Sequence, residues 1–474
     1  MRLSGPALLM TTDPILKPPH GGEGWRGEIV ATLALAWPLV IANLAQMLVY
    51  AVDVIFVARL GAETLAASSL AVSLFGLVAW SLSGMSGMVA ALISAELGSR
   101  RHAVREVRRS ARMGLWLAVF TGLAATACLH FGEEIMLATG QTPAVAARAG
   151  AFLSAIKWAI VPMLAANVLR NFVSALGRPI FATAITVLAI GVAVLGNYTF
   201  VFGHFGAPAL GMLGSPLSTL LTSLFIVASY AVAILSDRRL RRYHVFGYWW
   251  RPEWRRFGEL VRKGAPVSAT ILAEAGLFSG AAFLMGRIGP EQLAGHTIAL
   301  QLAALAFQVP FGVAQAATIR VGYFYGARDP AAIARAGWCA IVIGGGFMFV
   351  TAGLMLFAPR AIIRLYVDPY AAKNTVLVAF AVRYMVVAAA FQLFDGIQAV
   401  SAGSLRGLQD TRVPMAMALL GYWIPGLGTA VALGFFTPLQ GTGVWIGLAV
   451  GLVVVAGLLL QRWARRGRLG LLPA

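Results

Sequence analysis

The sequence predicts an all-α integral membrane protein, with twelve transmembrane helices in two six-helix bundles related by a parallel internal repeat. Three observations predict it: an apolar composition, twelve hydrophobic runs of helix length, and a duplication at a nearly fixed offset. Of 474 residues, 59% are hydrophobic and only 12% charged. Mean hydropathy is +0.80, so the solvent for this surface must be lipid. A spanning helix takes about 20 apolar residues. Such runs lie at 29–58, 64–95, 111–131, 151–172, 179–202, 213–235, 263–287, 292–324, 337–357, 375–405, 412–436 and 441–462. Pro and Gly interrupt many of them, which membrane helices tolerate when neighbours satisfy the freed backbone groups.

The duplication appears on self-comparison. Arg59-Leu60-Gly61-Ala62-Glu63-Thr64-Leu65-Ala66 matches Arg287-Ile288-Gly289-Pro290-Glu291-Gln292-Leu293-Ala294 at an offset of 228 residues. The same offset aligns Pro38 with Pro266, Gly84 with Gly312 and Gly98 with Gly326. Pro208-x-x-Gly211 answers Pro438-x-x-Gly441 at an offset of 230. Each half then holds six helices. Six is even, so both halves run the same way through the membrane, related by an axis along its normal. The expected organisation is a flexible cytoplasmic tail (1–28), a first lobe (29–235), a basic linker (236–262), a second lobe (263–462) and a basic tail (463–474).

A formal charge of +19 would suggest nucleic acid in a soluble protein, but its placement says otherwise. Arg100, Arg101, Arg105, Arg108, Arg109 and Arg112 follow run 2. Arg238, Arg239, Arg241, Arg242, Arg251, Arg255, Arg256, Arg262 and Lys263 follow run 6, and Arg462, Arg465, Arg466 and Arg468 close the chain. Residues 203–212 and 436–441, on the other side, carry no Lys or Arg. This positive-inside pattern puts both termini in the cytoplasm, with Arg360, Arg364 and Lys373 as a mild departure. The basic runs serve topology and anionic lipid, and no nucleic-acid partner is expected. The preference for Arg over Lys, with abundant Ala and Gly, suggests a bacterial chain and hence its inner membrane. Cys128 and Cys339 build neither a disulfide framework nor a metal site.

Three acids lie inside apolar runs with no adjacent base: Asp53, Glu274 and Asp395. A carboxylate at mid-bilayer costs roughly 2.5–3.5 kcal/mol on insertion scales, so it marks function. Polar stripes accompany them. Asn43, Gln46, Tyr50 and Asp53 share one face of the first helix, and Gln301, Gln308 and Gln315 recur every seven residues of the eighth. Gln392 and Gln398 flank Asp395, Asn167, Asn171 and Ser174 form a shorter stripe, and Thr270 precedes Glu274 by one turn. One stripe could be interhelical glue; five, three of them with an acid, point to a hydrated cavity. Burial disfavours a bare carboxylate, so it takes up a proton, Na⁺ or a cationic substrate. If ion and cargo compete for one neutralising group, each expels the other, a reciprocal negative coupling. His296 is the only histidine away from the end of a run, since His130 closes the run 111–131, and it reads first as a packing residue.

With those residues located, the chain resembles the multidrug and toxic compound extrusion (MATE) family, in its bacterial NorM-like branch. Gln392-Leu393-Phe394-Asp395-Gly396-Ile397-Gln398 through Leu405-Arg406-Gly407 is similar to the family's helix-10 signature. Pro310 to Gly322 resembles the end of helix 8, Pro266 to Phe278 resembles helix 7, and Val52-Asp53 with Arg59-Leu60-Gly61 resembles the end of helix 1. The resemblance implies a cation-coupled antiporter that exports cationic or amphiphilic drugs in exchange for H⁺ or Na⁺. It places the coupling ion at Glu274 and Asp395, where Na⁺ could bind, and an acid again at Asp53. Phe391 and Ala193 stand where a tyrosine and an asparagine are expected in some Na⁺-coupled relatives. Gln46, Asn167, Asn171, Asn197, Gln301 and Gln392 are the expected cavity residues. No cofactor beyond the coupling cation is expected, and the chain is expected to act as a monomer. The alternative is a flippase for lipid-linked saccharides, which would need a basic cavity. A membrane-embedded enzyme is disfavoured, because His296 alone supplies no catalytic constellation.

Overall fold

A computed structural model describes residues 24–99, 103–247 and 249–473. Residues 1–23 of the expected tail, and Arg100 and Arg101 of the first basic connection, lie outside the described residues. Among those described, twelve helices are long and apolar enough to cross a membrane. The first six are α1 (Trp25–Ala58), α2 (Glu63–Ser99), α3 (Ala103–His130), α4 (Pro143–Ala175), α5 (Pro179–Phe202) and α6 (Gly211–Ser236). The second six are α7 (Trp254–Ile288), α8 (Pro290–Ala327), α9 (Pro330–Phe357), α10 (Thr375–Gly407), α11 (Arg412–Phe435) and α12 (Gly441–Ala464).

Every expected run is a helix, but several helices outlast their apolar stretch. The 38 residues of α8 rise about 57 Å, against a hydrocarbon core of about 30 Å. Boundaries drawn from hydropathy therefore move outward. Trp25 to Glu28 are helical and Glu28 is buried, so the tail expected to reach residue 28 stops earlier. The expected linker already turns into α7 at Trp254. Trp463, assigned to the C-terminal tail, is fully buried, and a Cβ on Gly337 of α9 would collide with its ring. In each case packing at the helix end holds the polar last turn in helical form.

The two bundles repeat the same contacts. α1 packs on α5 as α7 packs on α11, and α2 packs on α4 as α8 packs on α10. Between bundles, α2 meets α8, α2 meets α7, and α1 meets α8. Glycines permit the close crossings. A Cβ on Gly98 would collide with the Tyr323 carbonyl oxygen, and one on Gly326 would collide with that of Ala95. Ala95 and Tyr323 are separated by the same 228 residues as the two glycines. Further from the basic end, a Cβ on Gly84 would lie 3.2 Å from Ser268 Cα, and one on Gly312 3.2 Å from Val40 Cα. Val40 and Ser268 are again 228 apart. Each pair is one contact seen from either bundle, as a pseudo-twofold axis passing between α2 and α8 requires.

Ion pairs fasten the basic end. Arg320 of α8 holds Glu28 of α1 through two guanidinium nitrogens, with Nη2 2.7 Å from Oε2, and both side chains are buried. Thr32 also donates to Glu28. Arg256 of α7 bridges Glu96 of α2 at 2.6 Å and Glu259 at 2.7 Å, and Lys263 meets Glu259 at 2.6 Å. Removing one partner of a buried pair leaves an uncompensated charge, at a cost of about 3–5 kcal/mol, whereas replacing both is often neutral. Glu28→Gln is accordingly expected to lower the unfolding temperature of the purified protein markedly. Glu28→Leu combined with Arg320→Met should recover most of the loss. A double variant as unstable as the sum of its single changes would contradict this account.

Candidate functional site

Two contiguous cavities open inside the fold. One, of about 290 Å³, lies between the bundles, and the other, of about 540 Å³, enters the first bundle. Gln46, Tyr50, Trp80, Asn167 and Arg170 line both. Trp80 of α2 meets Phe311 of α8 across the interface, ring centroids 5.2 Å apart.

In the first bundle, α1 presents Asp53 to the larger cavity. Asn197 Nδ2 of α5 donates to Oδ1 at 2.7 Å, and Thr219 Oγ1 of α6 donates to Oδ2 at 3.0 Å. Asn197 is itself held by the Ala193 carbonyl at 2.9 Å and Ser218 Oγ at 3.0 Å. Both carboxylate oxygens therefore meet neutral donors, which orient the charge without cancelling it. Asn197 Oδ1 is buried with no hydrogen-bond partner among the described residues, an unused acceptor beside the acid.

In the second bundle, Glu274 of α7 lines the central cavity and Asp395 of α10 is buried, 6% exposed. The two carboxyls lie within electrostatic reach of each other and of the fully buried Tyr422 hydroxyl of α11. Asp395 Oδ1, the Tyr422 hydroxyl and Gln398 Oε1 are buried without hydrogen-bond partners among the described residues. Tyr422 opens a π-helical stretch, Tyr422–Leu427, that contains Pro425. Such single wide turns recur at functional sites because they re-aim side chains that a regular helix would direct elsewhere. Among the described residues none of Asp53, Glu274 and Asp395 takes part in an ion pair.

Most of the expected polar residues gather here. Gln46 and Asn167 line both cavities, Asn171 lines the central one while donating to the Ser86 carbonyl at 3.1 Å, and Gln301 lines the larger one. Asn197 sits behind Asp53 as its donor. Gln308 and Gln315 of the same stripe face the central cavity. Gln392 does not belong with them: it lines neither cavity and donates to Thr351 Oγ1 of α9 at 2.6 Å. Three residues along a helix turn about 60° short of a full circle, so Gln392 meets α9 while Asp395 points elsewhere, its Oδ1 without a partner among the described residues. His296 packs edge-on against Trp445 at 5.4 Å, and neither ring nitrogen is bonded among the described residues. Phe391 stacks on the same tryptophan at 5.5 Å.

Three residues escaped the sequence reading. Tyr422, from a different helix, brings a hydroxyl near the acids where Phe391 has none. Arg170 of α4 lines both cavities and Arg406 of α10 lines the central one. The central cavity therefore holds bases as well as an acid. A signal existed: Arg406 follows Asp395 by eleven residues, which returns to nearly the same helix face, and Arg170 sits inside the Asn167–Ser174 stripe.

Twelve helices fit to span a membrane, a repeat axis between two bundles and cavities inside the bundles lined in part by polar side chains define a membrane transport protein. The chain belongs to the MatE family, whose model matches residues 38–199 and again 266–431, two segments that begin 228 residues apart. It is similar to proteins named "Probable multidrug resistance protein NorM". The Mesorhizobium japonicum protein is 45% identical, covering 94% of this chain and 95% of that one. The Brucella suis protein is 43% identical, covering 93% and 94%. Among solved structures, the eukaryotic MATE transporter AtDTX14 superposes with a TM-score of 0.83 at 20% identity, over 95% of this chain and 100% of that one. A multidrug resistance MATE family transporter of the MOP superfamily, in its outward-facing conformation, gives 0.82 at 21% identity, over 95% and 97%. The chain is a transporter and not an enzyme.

Proposed function

We propose that this protein is a multidrug exporter of a bacterial inner membrane, exchanging cationic or amphiphilic drugs for H⁺ or Na⁺ by alternating access. The observation that carries the reading is a set of three carboxyls inside the spanning helices, Asp395 buried and Asp53 and Glu274 partly buried at the cavities, none of them neutralised by a basic partner among the described residues. A buried, uncancelled carboxylate is a standing demand for positive charge. Either a small cation or a cationic cargo meets it, and the two cannot both do so. Glu274, Asp395 and the Tyr422 hydroxyl offer oxygen atoms to one ion, and Asp53 with Asn197 Oδ1 offers them to a second. Hard cations such as Na⁺ take oxygen ligands of this kind, and a proton needs only the carboxylates. The apolar walls contributed by Trp80, Phe278, Phe307 and Phe311 suit the body of an amphiphile.

The tightly packed glycine crossings and ion pairs lie toward the basic end, which the positive-inside rule assigns to the cytoplasm with both termini. The conformation is then one closed to the cytoplasm. Both bundles and both cavities come from one chain, which supports a monomeric carrier. In proteoliposomes, an inward Na⁺ or H⁺ gradient is expected to accelerate dye efflux several-fold, and added dye should collapse that same gradient faster. Efflux indifferent to both gradients would refute the exchange reading. One observation favours the flippase alternative, the arginines Arg170 and Arg406 in the central cavity. A drug-susceptibility panel in a pump-deficient host separates the two, since a flippase confers no resistance.

A further inference from the structure

Arg170 and Arg406 are the least explained groups in the central cavity. Arg406 makes no side-chain hydrogen bond or ion pair among the described residues, and its Nε is sealed from solvent. The Arg406 Nη1 lies 3.5 Å from where a Cβ would stand on Gly87, so that glycine of α2 leaves room for the guanidinium at the interface. Arg170 donates only to neutral amides, Asn43 and, at 3.4 Å, Gln315. Elsewhere the buried arginines Arg112 and Arg320 are each answered by a carboxylate. Arg170 and Arg406 are partly buried, and a guanidinium drawn away from water without an anion is costly for the same reason as a carboxylate without a cation. It cannot shed its proton to escape, because arginine stays charged in proteins.

The two kinds of charge are set apart. Asp395 and Arg406 share one face of α10 eleven residues apart, about 16 Å of helix rise. Side chains on a helix tilt toward its N-terminus, so both lean the same way along α10 and the separation stays of the order of that rise. The cavity thus offers a negative pole at Glu274 and a positive pole at Arg170 and Arg406, with aromatic walls between. We propose that the central cavity carries an anion subsite, Arg170 with Arg406, that binds the carboxylate of zwitterionic amphiphiles whose cationic group sits toward Glu274. The inference rests on the exporter reading and adds the substrate class to it. A planar guanidinium fork grips a carboxylate bidentately, which an ester cannot reproduce.

A matched pair of dyes tests it: rhodamine B, a zwitterion, and its methyl ester, which keeps the cation and masks the carboxylate. Binding to the purified full-length protein is followed by fluorescence polarisation, and efflux in proteoliposomes. The wild-type protein is expected to prefer the acid over the ester. Arg406→Gln and Arg170→Gln should each lower that acid-to-ester affinity ratio by about tenfold, the scale of a charge-assisted bond. Arg406→Lys should recover part of the ratio, since it keeps the charge and loses the fork. Equal losses for both dyes would assign the arginines to packing and overturn the proposal, as would an unchanged ratio. Displacement of both dyes by inorganic pyrophosphate at low concentration would assign them to a phosphate-bearing cargo and overturn it too. Ester efflux without any acid preference defeats this inference alone, while efflux of neither dye defeats the exporter reading as well.

Discussion

Glu274→Gln and Asp395→Asn are each expected to lower drug efflux by about tenfold to a hundredfold, the scale of a 1–3 kcal/mol coupling between two ligands, while the protein remains folded in the membrane. The amides preserve shape and hydrogen-bonding atoms, so the cavity keeps its walls. What they remove is the capacity to change charge. Glu274 lines the cavity and Asp395 is buried with Oδ1 unbonded among the described residues, so either amide leaves one acid of the proposed pair. Cargo and ion then no longer compete for the same negative charge, and binding one does not expel the other. Tyr422→Phe should give a milder loss, because it removes an oxygen and leaves both charges. The readout is gradient-driven dye efflux in proteoliposomes, with membrane content measured by immunoblot. Wild-type efflux from both amide variants would remove Glu274 and Asp395 from the mechanism.

The second large effect is conformational. Gly98→Val or Gly326→Val forces a Cβ into a backbone carbonyl of the opposite bundle, from Tyr323 or Ala95. Backbone cannot yield as a side-chain tip can, so α2 and α8 must separate at the basic end. Overpacking of this kind costs about 1–3 kcal/mol or more. That is enough to shift a closed–open balance roughly tenfold to a hundredfold. Both variants are therefore expected to lose most transport without losing their fold. Ser94, 1% exposed beside Gly322 at this crossing, reports the change. A Ser94→Cys probe, placed in a background without Cys128 and Cys339, should resist a thiol reagent in the parent and react in either glycine variant. The repeat makes the test sharp, because the two substitutions are symmetry mates and should act alike. Unchanged transport and labelling in both would mean that closure of this crossing is not part of the cycle.

The spans were legible because lipid demands about 20 apolar residues per crossing, a rule written in composition alone. The repeat was legible too, and its 228-residue offset reappears in the paired contacts of Gly98 with Tyr323 and Gly326 with Ala95. The acids announced themselves as exceptions in apolar runs. Asp53 with Asn197 shows the limit of that reading: both were expected at the site, but only the packing of α5 on α1 places the amide 2.7 Å from the carboxylate. Gln392 shows the failure, since a polar residue one turn from Asp395 faced α9 instead of the cavity. Arg406 entered only as part of the helix-10 signature, although α10 carries it on the face of Asp395.

By itself the sequence determined how many times the chain crosses the membrane, which end is basic, that the two halves repeat, and which residues are too polar for lipid to leave idle. Those properties are one-dimensional: hydropathy, spacing and the cost of burying a charge are fixed residue by residue. Tertiary structure alone decided which polar groups share a site. It packed the helix of Glu274 on the Tyr422–Leu427 stretch, gave Glu28 its partner in Arg320, and left Arg170 and Arg406 facing a cavity with no acid of their own. Partners hundreds of residues apart are chosen by how helices cross, and the crossings rest on where glycines let two backbones touch.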